Sequence, residues 1–93
     1  MKEFENYKTA VVSTAHLPEE LAAKMEREEF VKFNYAKISY GFLIWIPTGD
    51  LDDYLHEWPE EIRPLMVEAH KQGCKFVDFD QGGTVYDFRT WEW

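Results

Sequence analysis

The short apolar run from Phe42 to Ile46 most constrains how this chain can fold. It contains five consecutive large apolar residues, with Gly41 before them and Pro47 after them. A run this short, rich in aromatic and β-branched side chains and ended by proline, predicts a β-strand and not a helix. Because its side chains are apolar at odd and even positions alike, we expect the strand to be buried on both faces. Gly41 predicts a bend or bulge, and two alternatives stay open: residues 33–46 form one bent strand or two paired strands.

Three helices are predicted from start and stop signals. In the first, Pro18 followed by two acids is typical of a helix N-terminus, and Leu17, Leu21 and Met25 form one apolar stripe. Asp50 is a suitable N-cap for a short amphipathic helix. The second main helix is expected from about Pro64 to Gln72, with Gly73 as its C-terminal cap.

Residues 74–80 and 84–88 are two further candidate strands near the C-terminus. The Gly-Gly pair between them predicts a two-residue hairpin turn. In that register Asp78 lies directly opposite Asp87, an unfavourable pair of like charges.

Residues 9–14 form a β-branched run that predicts a first strand, so the element order is β-α-β-α-β-β. This order predicts one compact α+β domain over residues 1–93. We expect a two-layer sandwich: a mixed sheet of about four strands, closed by the C-terminal hairpin, with two main helices on one face. Two helices cannot cover both faces of the central strand, so part of its second face is left for the C-terminal tail or for another chain.

Composition excludes several classes of function. With 18 acids, 10 bases and a formal net charge of −8 at pH 7, the chain lacks the basic surface of a nucleic-acid-binding protein and is disfavoured at anionic membranes. Its single cysteine cannot form an internal disulfide, and no apolar run approaches the length of a membrane span. We therefore expect a cytoplasmic protein, with no direct binding to nucleic acid or membrane.

Candidate catalytic residues are sparse. The three histidines have no metal-ligand spacing, and there is no Gly-rich phosphate loop. His16 follows the first strand, where α/β proteins often place ligands. On the predicted hairpin Asp78, Asp80 and Asp87 share a face and could hold a divalent cation. These residues support one alternative, a small metal-dependent enzyme or ligand-binding domain. Under the leading hypothesis, given below, no metal or other cofactor is expected.

Negative charge is concentrated in what we call the acidic stretch. Its members, six acids within twelve residues and no Lys or Arg among them, are Asp50, Asp52, Asp53, Glu57, Glu60 and Glu61. In one helix they would follow each other at roughly the spacing of phosphates along a DNA strand, about 3 Å, although Pro59 interrupts the continuity. The stretch is either a solvated face or a surface that binds a basic groove. Trp91 and Trp93 make the tail too aromatic for a free end, and we expect it to pack on the domain or on a partner.

Several short motifs also resemble a known family. Residues 11–17, Tyr40-Gly41-Phe42, residues 73–80 and the Trp-terminated tail resemble a family of short bacterial proteins of unknown function carried on plasmids, integrated elements and phages. The resemblance implies a mobile-element setting, with the protein in the cytoplasm of a bacterial host cell, and it assigns no catalytic residues.

The leading hypothesis is a non-enzymatic acidic protein-binding protein, a phage or mobile-element inhibitor of a host defence complex of the anti-CRISPR or anti-restriction type. Its partner would be a host protein or nucleoprotein complex with a basic groove, bound by the acidic stretch, Trp91 and Trp93, with DNA mimicry as one mode. A second alternative is an antitoxin-like or accessory subunit. The oligomeric state stays open, a homodimer included.

Overall fold

The computed structural model describes residues 2–29 and 31–92. Its strands are β1 (Thr9–Ser13), β2 (Tyr35–Ile38), β3 (Gly41–Trp45) and β4 (Phe76–Asp80). Its α-helices are α1 (Glu19–Glu26), α2 (Leu51–Tyr54) and α3 (Arg63–Lys71), and 3-10 turns cover Thr14–His16 and Leu55–Glu57. The helix of nine residues, α3, is far shorter than the roughly 20 needed to span a bilayer, and no helix of the described residues is long and apolar enough to cross a membrane.

The four strands form one mixed sheet in the order β1-β4-β3-β2. β1 runs parallel to β4, whereas β4 and β3, and β3 and β2, are antiparallel. The predicted α+β class, the mixed four-stranded sheet and the two main helices are confirmed. The two inner strands are β3 and β4, so the apolar run at residues 42–46 lies at the centre of the sheet as expected.

Residues 33–46 form two paired strands and not one bent strand. β2 and β3 are joined by a tight turn at Ser39 and Tyr40, and Gly41 begins β3 with a φ of 157°. A Cβ atom at Gly41 would lie 1.7 Å from the carbonyl oxygen of Phe79 on the neighbouring strand. Glycine is therefore required here because β4 passes too close for any side chain.

The predicted C-terminal hairpin is wrong. Residues 84–88 form no strand, and Thr84 instead makes an isolated parallel bridge to Val12 of β1. The backbone N–H of Ser13 donates to the Thr84 carbonyl at 2.8 Å, so this segment pairs with the outer edge of β1 at Val12 and Ser13. The neighbours of Asp78 in the sheet are Val11 and Leu43, and Asp87 is not opposite it.

All three helices pack on one face of the sheet. Their buried residues join the inward side chains of the strands in a single core. Leu21, Met25, Leu65 and Met66 come from α1 and α3, and Tyr54 comes from α2. The predicted starts and stops agree closely: Pro18 lies immediately before the first residue of α1, the Asp50 side chain caps α2, and Gly73 follows α3 with a φ of 79°.

The second face of the sheet is not covered to the same degree. Along β3 and β4 the residues alternate between buried and half-buried. In β3, Phe42 and Ile44 are buried in the core, but Leu43 and Trp45 on the opposite face are half-buried. The expectation that this strand is buried on both faces is therefore wrong, because the chain builds a helical layer on one side only.

Candidate functional site

The acidic stretch is held on the surface by apolar residues that alternate with its carboxylates. Tyr54 and Trp58 are buried in the core, 5.4 Å apart between ring centroids, and Leu51 and Leu55 pack against it. These anchors turn the intervening acids outward. Five of the six carboxylate residues are exposed and Glu57 is half-buried.

None of the six carboxylates forms an ion pair with another residue of the described chain. Asp50 accepts a hydrogen bond from the backbone N–H of Asp52 at 3.2 Å, which is its N-cap contact. Burial first, and then the charges of Asp50 and Asp53, raise the pKa of the Tyr54 hydroxyl. The negative charge of the stretch thus faces solvent, where a partner could meet it, without an ion pair to a cation of residues 2–29 and 31–92.

The acidic stretch does not form one continuous helix. α2 has four residues, a three-residue 3-10 turn follows, and Trp58 has extended backbone (φ −89°, ψ 134°) before the turn that contains Pro59. The carboxylates therefore follow a bent path, and the even spacing that a single helix would provide is not reached. The stretch is an exposed run of carboxylates on a bent segment of chain.

His16 is a buried structural residue, only 1% exposed. Its Nδ1 lies 3.0 Å from the carbonyl oxygen of Arg89, and its Nε2 accepts from the backbone N–H of Tyr86 at 2.9 Å. A carbonyl can only accept, so Nδ1 carries the proton and the ring is neutral. Phe88 packs edge-on against it, 6.4 Å between centroids. With both nitrogens occupied, His16 anchors the segment after β4 and has no lone pair free for a metal.

The three aspartates predicted to share a face are not brought together. Asp78 and Asp80 lie on one face of β4, but Asp87 belongs to the segment that crosses to β1. Asp80 is engaged in its own turn, where its Oδ1 accepts from the Gly82 N–H at 2.7 Å. Within residues 2–29 and 31–92, no group of three or more His, Cys, Asp or Glu side chains is arranged to hold a metal ion.

The C-terminal tail packs back on the domain, as predicted. The backbone N–H of Trp91 donates to the Ala15 carbonyl at 2.9 Å, and the Arg89 guanidinium lies 4.8 Å from the centroid of the Trp91 ring. The half-buried Trp91 lines a groove of about 1180 Å³ between α1 and the β2–β3 hairpin, whose wall includes Glu26 and Lys37. Trp93, the other predicted tail contact, lies outside the described residues.

One feature that sequence reasoning missed is the setting of Asp78. Its Oδ1 has no exposed surface and no hydrogen-bond partner in the part of the chain that the structure describes. Burial first, and then the charge of Asp80, raise its pKa above the usual range of a carboxyl. The signal was present in the alternation of β4, where an acid stands among apolar residues in an inner strand.

Comparisons with known proteins place the chain in a family without assigning a role to it. No curated protein and no solved structure matches the chain. Residues 9–93 match a family of unknown function (DUF5983), over what is described as its C-terminal domain. The match covers most of the chain, and the protein therefore belongs to the DUF5983 family.

Proposed function

We propose that this protein is a non-enzymatic binding protein that presents the acidic stretch to a basic surface of a partner. The observation that carries the proposal is the outward-facing run of six carboxylates within twelve residues, none of which forms an ion pair among the described residues. A chain with a formal net charge of −8 that leaves this group exposed gains little fold stability from it. A surface of this kind is better suited to binding a cationic partner than to stabilising the fold.

Charge of this kind acts mainly on the rate of association. Complementary potentials steer two proteins together and raise association rate constants from about 10⁵–10⁶ M⁻¹s⁻¹ towards 10⁸–10⁹ M⁻¹s⁻¹ at low salt. The effect is screened beyond roughly 8 to 10 Å at physiological ionic strength. Groups that pack against the partner would add the apolar part of the affinity, and the half-buried Trp91 beside its groove is our candidate for that role.

The biological setting that we propose is a bacterial plasmid, integrated element or phage, in which the protein inhibits a host defence complex. The partner would be a protein or nucleoprotein complex with a basic groove that ordinarily holds nucleic acid. The support for this step is the sequence resemblance together with the charge.

The binding proposal is tested by capturing the partner from host lysate, identifying it by mass spectrometry, and measuring association with the purified complex. The test variant is Asp53→Lys/Glu61→Lys, because both side chains are exposed and neither forms an ion pair among the described residues. The control is Glu3→Lys/Asp87→Lys, which changes the net charge equally at two other exposed sites. We expect the test variant to associate at least about tenfold more slowly at low salt, with the control much closer to wild type and all melting temperatures similar. Equal association rates for wild type and both variants would show that the acidic stretch is a solvated face without a role in binding.

The setting is tested in cells. Expression of the protein in bacteria that carry an active restriction or CRISPR system should raise the plating efficiency of a targeted phage, and Asp53→Lys/Glu61→Lys should lose this protection. If the protein binds its captured partner but the plating efficiency is unchanged with every defence system tried, the anti-defence role is refuted. The binding function would still stand.

A further inference from the structure

The second face of the sheet carries an incompletely covered apolar surface with a charge at its centre. We call it the open face and define it by Val11, Ala36, Leu43, Trp45, Phe76 and Asp78. Direct strand pairing places Val11, Asp78, Leu43 and Ala36 in one row across all four strands. Phe76 pairs with Trp45 in the next row. Side chains of paired residues lie on the same face of a sheet, so these six form one surface.

The open face exposes apolar side chains to solvent although they take no part in the core. Val11 is 47% exposed, and the neighbouring Ile38 is 39% exposed. The aromatic side chains of Trp45 and Phe76 stand edge to face, 5.4 Å apart between centroids, and Tyr7 extends the row at 6.1 Å from Phe76. Tryptophan, tyrosine and arginine contacts dominate the binding energy of protein interfaces, and an aromatic row along one border suits such a contact.

Asp78 determines what chemistry can cover the open face. It lies in an inner strand and in the middle row, and its side chain is half-buried, so that a partner can reach its accessible side, while the shielded Oδ1 has no partner in the described part of the chain. A purely apolar cover would leave a carboxylate sealed without a donor, which is strongly unfavourable. An arginine supplies several N–H donors in a planar fork that fits a carboxylate and is more weakly hydrated than an ammonium group.

The dimensions of the open face suit a helix. Beyond the row of Asp78 lies a third row on the same face, formed by Ser13, Asp80, Gly41 and Ile38. Four strands about 4.8 Å apart span roughly 14 Å, and these three alternating rows span roughly 13 Å along the strands. An α-helix with its side chains is about 10 to 12 Å wide. A second copy of this chain is disfavoured as the occupant, because a symmetric stack would place Asp78 near its own copy and oppose two chains of net charge −8.

We propose that the open face is a docking surface for an amphipathic helix of a partner protein, whose apolar stripe carries one arginine or lysine that pairs with Asp78. This surface is separate from the acidic stretch, whose anchors pack into the core beneath the helices on the other face. The basic residue gives specificity, since a helix with a neutral or acidic residue in its place leaves Asp78 unpaired.

The test uses a displayed library of randomised helices, three to four turns long, selected on the purified protein. We expect the enriched helices to carry arginine or lysine within an apolar stripe, and the consensus peptide to be synthesised with that residue intact or replaced by glutamine. The replacement should weaken binding to wild type by roughly 30-fold or more, as for other buried charge pairs. It should weaken binding to Asp78→Asn far less, because the charge it pairs with is gone.

Two surface variants locate the site and keep the test independent of the acidic stretch. Val11→Lys places an ammonium group beside Asp78, and Ala36→Lys adds bulk at the other border; each should reduce peptide binding at least about tenfold with the fold retained, as judged by circular dichroism. Asp53→Lys/Glu61→Lys should bind the peptide as wild type does. Selection of helices without a basic residue, or unchanged binding by both lysine variants, would overturn the proposal. A dimer in sedimentation equilibrium that Val11→Lys disperses would also overturn it, because the occupant would then be a second copy.

Discussion

Replacing Asp78 by valine should stabilise the isolated protein at neutral pH, although it removes a charged residue from an inner strand. The Asp78 Oδ1 is buried without a hydrogen-bond partner among the described residues, and an unsatisfied buried polar group costs about 1 to 3 kcal/mol. Valine matches its neighbours Val11 and Leu43 and is favoured in strands. We expect a gain of about 1 to 2 kcal/mol in the free energy of unfolding, where each kcal/mol raises Tm by roughly 4 to 8 °C for a domain of this size.

The gain should depend on pH in a definite direction. Burial and the charge of Asp80 raise the pKa of Asp78 in the folded protein, so folding favours the protonated form. The stability that wild type draws from this group is fully present below the unfolded pKa and is lost as the pH rises through the folded pKa. The difference between Asp78→Val and wild type should therefore be larger at pH 7 than in acid, where wild type no longer carries the charge.

Urea unfolding followed by circular dichroism at several pH values measures this difference. Asp87→Asn is the control, since Asp87 is exposed and its neutralisation should change stability by no more than about 0.5 kcal/mol. An Asp78→Val protein that is less stable than wild type at pH 7 would refute the reasoning. A gain that is the same at every pH would show that packing, and not the removal of a buried charge, is responsible.

Two further substitutions test the centre of the sheet. Gly41→Ala should cost about 3 kcal/mol or prevent folding, because its Cβ would meet the Phe79 carbonyl at 1.7 Å, whereas Gly82→Ala, with only a 3.4 Å contact to a side chain, should be nearly neutral in thermal melts. Ile44→Ala should cost about 2 to 5 kcal/mol because Ile44 is 0% exposed, and the half-buried Trp45→Ala should cost less in urea titrations. Equal costs for the last two would mean that both faces of β3 are equally buried in solution.

The sequence alone determined the elements whose signals are local. Helix starts at Pro18 and Asp50, the stop at Gly73 and the apolar run at residues 42–46 are all where the structure has them. Caps, proline restrictions and periodicity act within a few residues, so they can be recognised in the sequence without knowledge of the tertiary structure. The charge of the acidic stretch is equally a property of composition, and its outward orientation follows from its apolar anchors.

Tertiary structure decided the pairings, which depend on contacts between distant residues. The Gly-Gly pair predicted a hairpin, yet Thr84 pairs with β1. The residues that follow Thr84 then bind both ring nitrogens of the buried His16. A hairpin on β4 would leave those nitrogens and the edge of β1 without these partners. The sequence indicated that two helices could not cover both faces of the sheet. Only the register of the four strands shows that Asp78 lies at the centre of the face left open, because side chains from four separate strands make that surface.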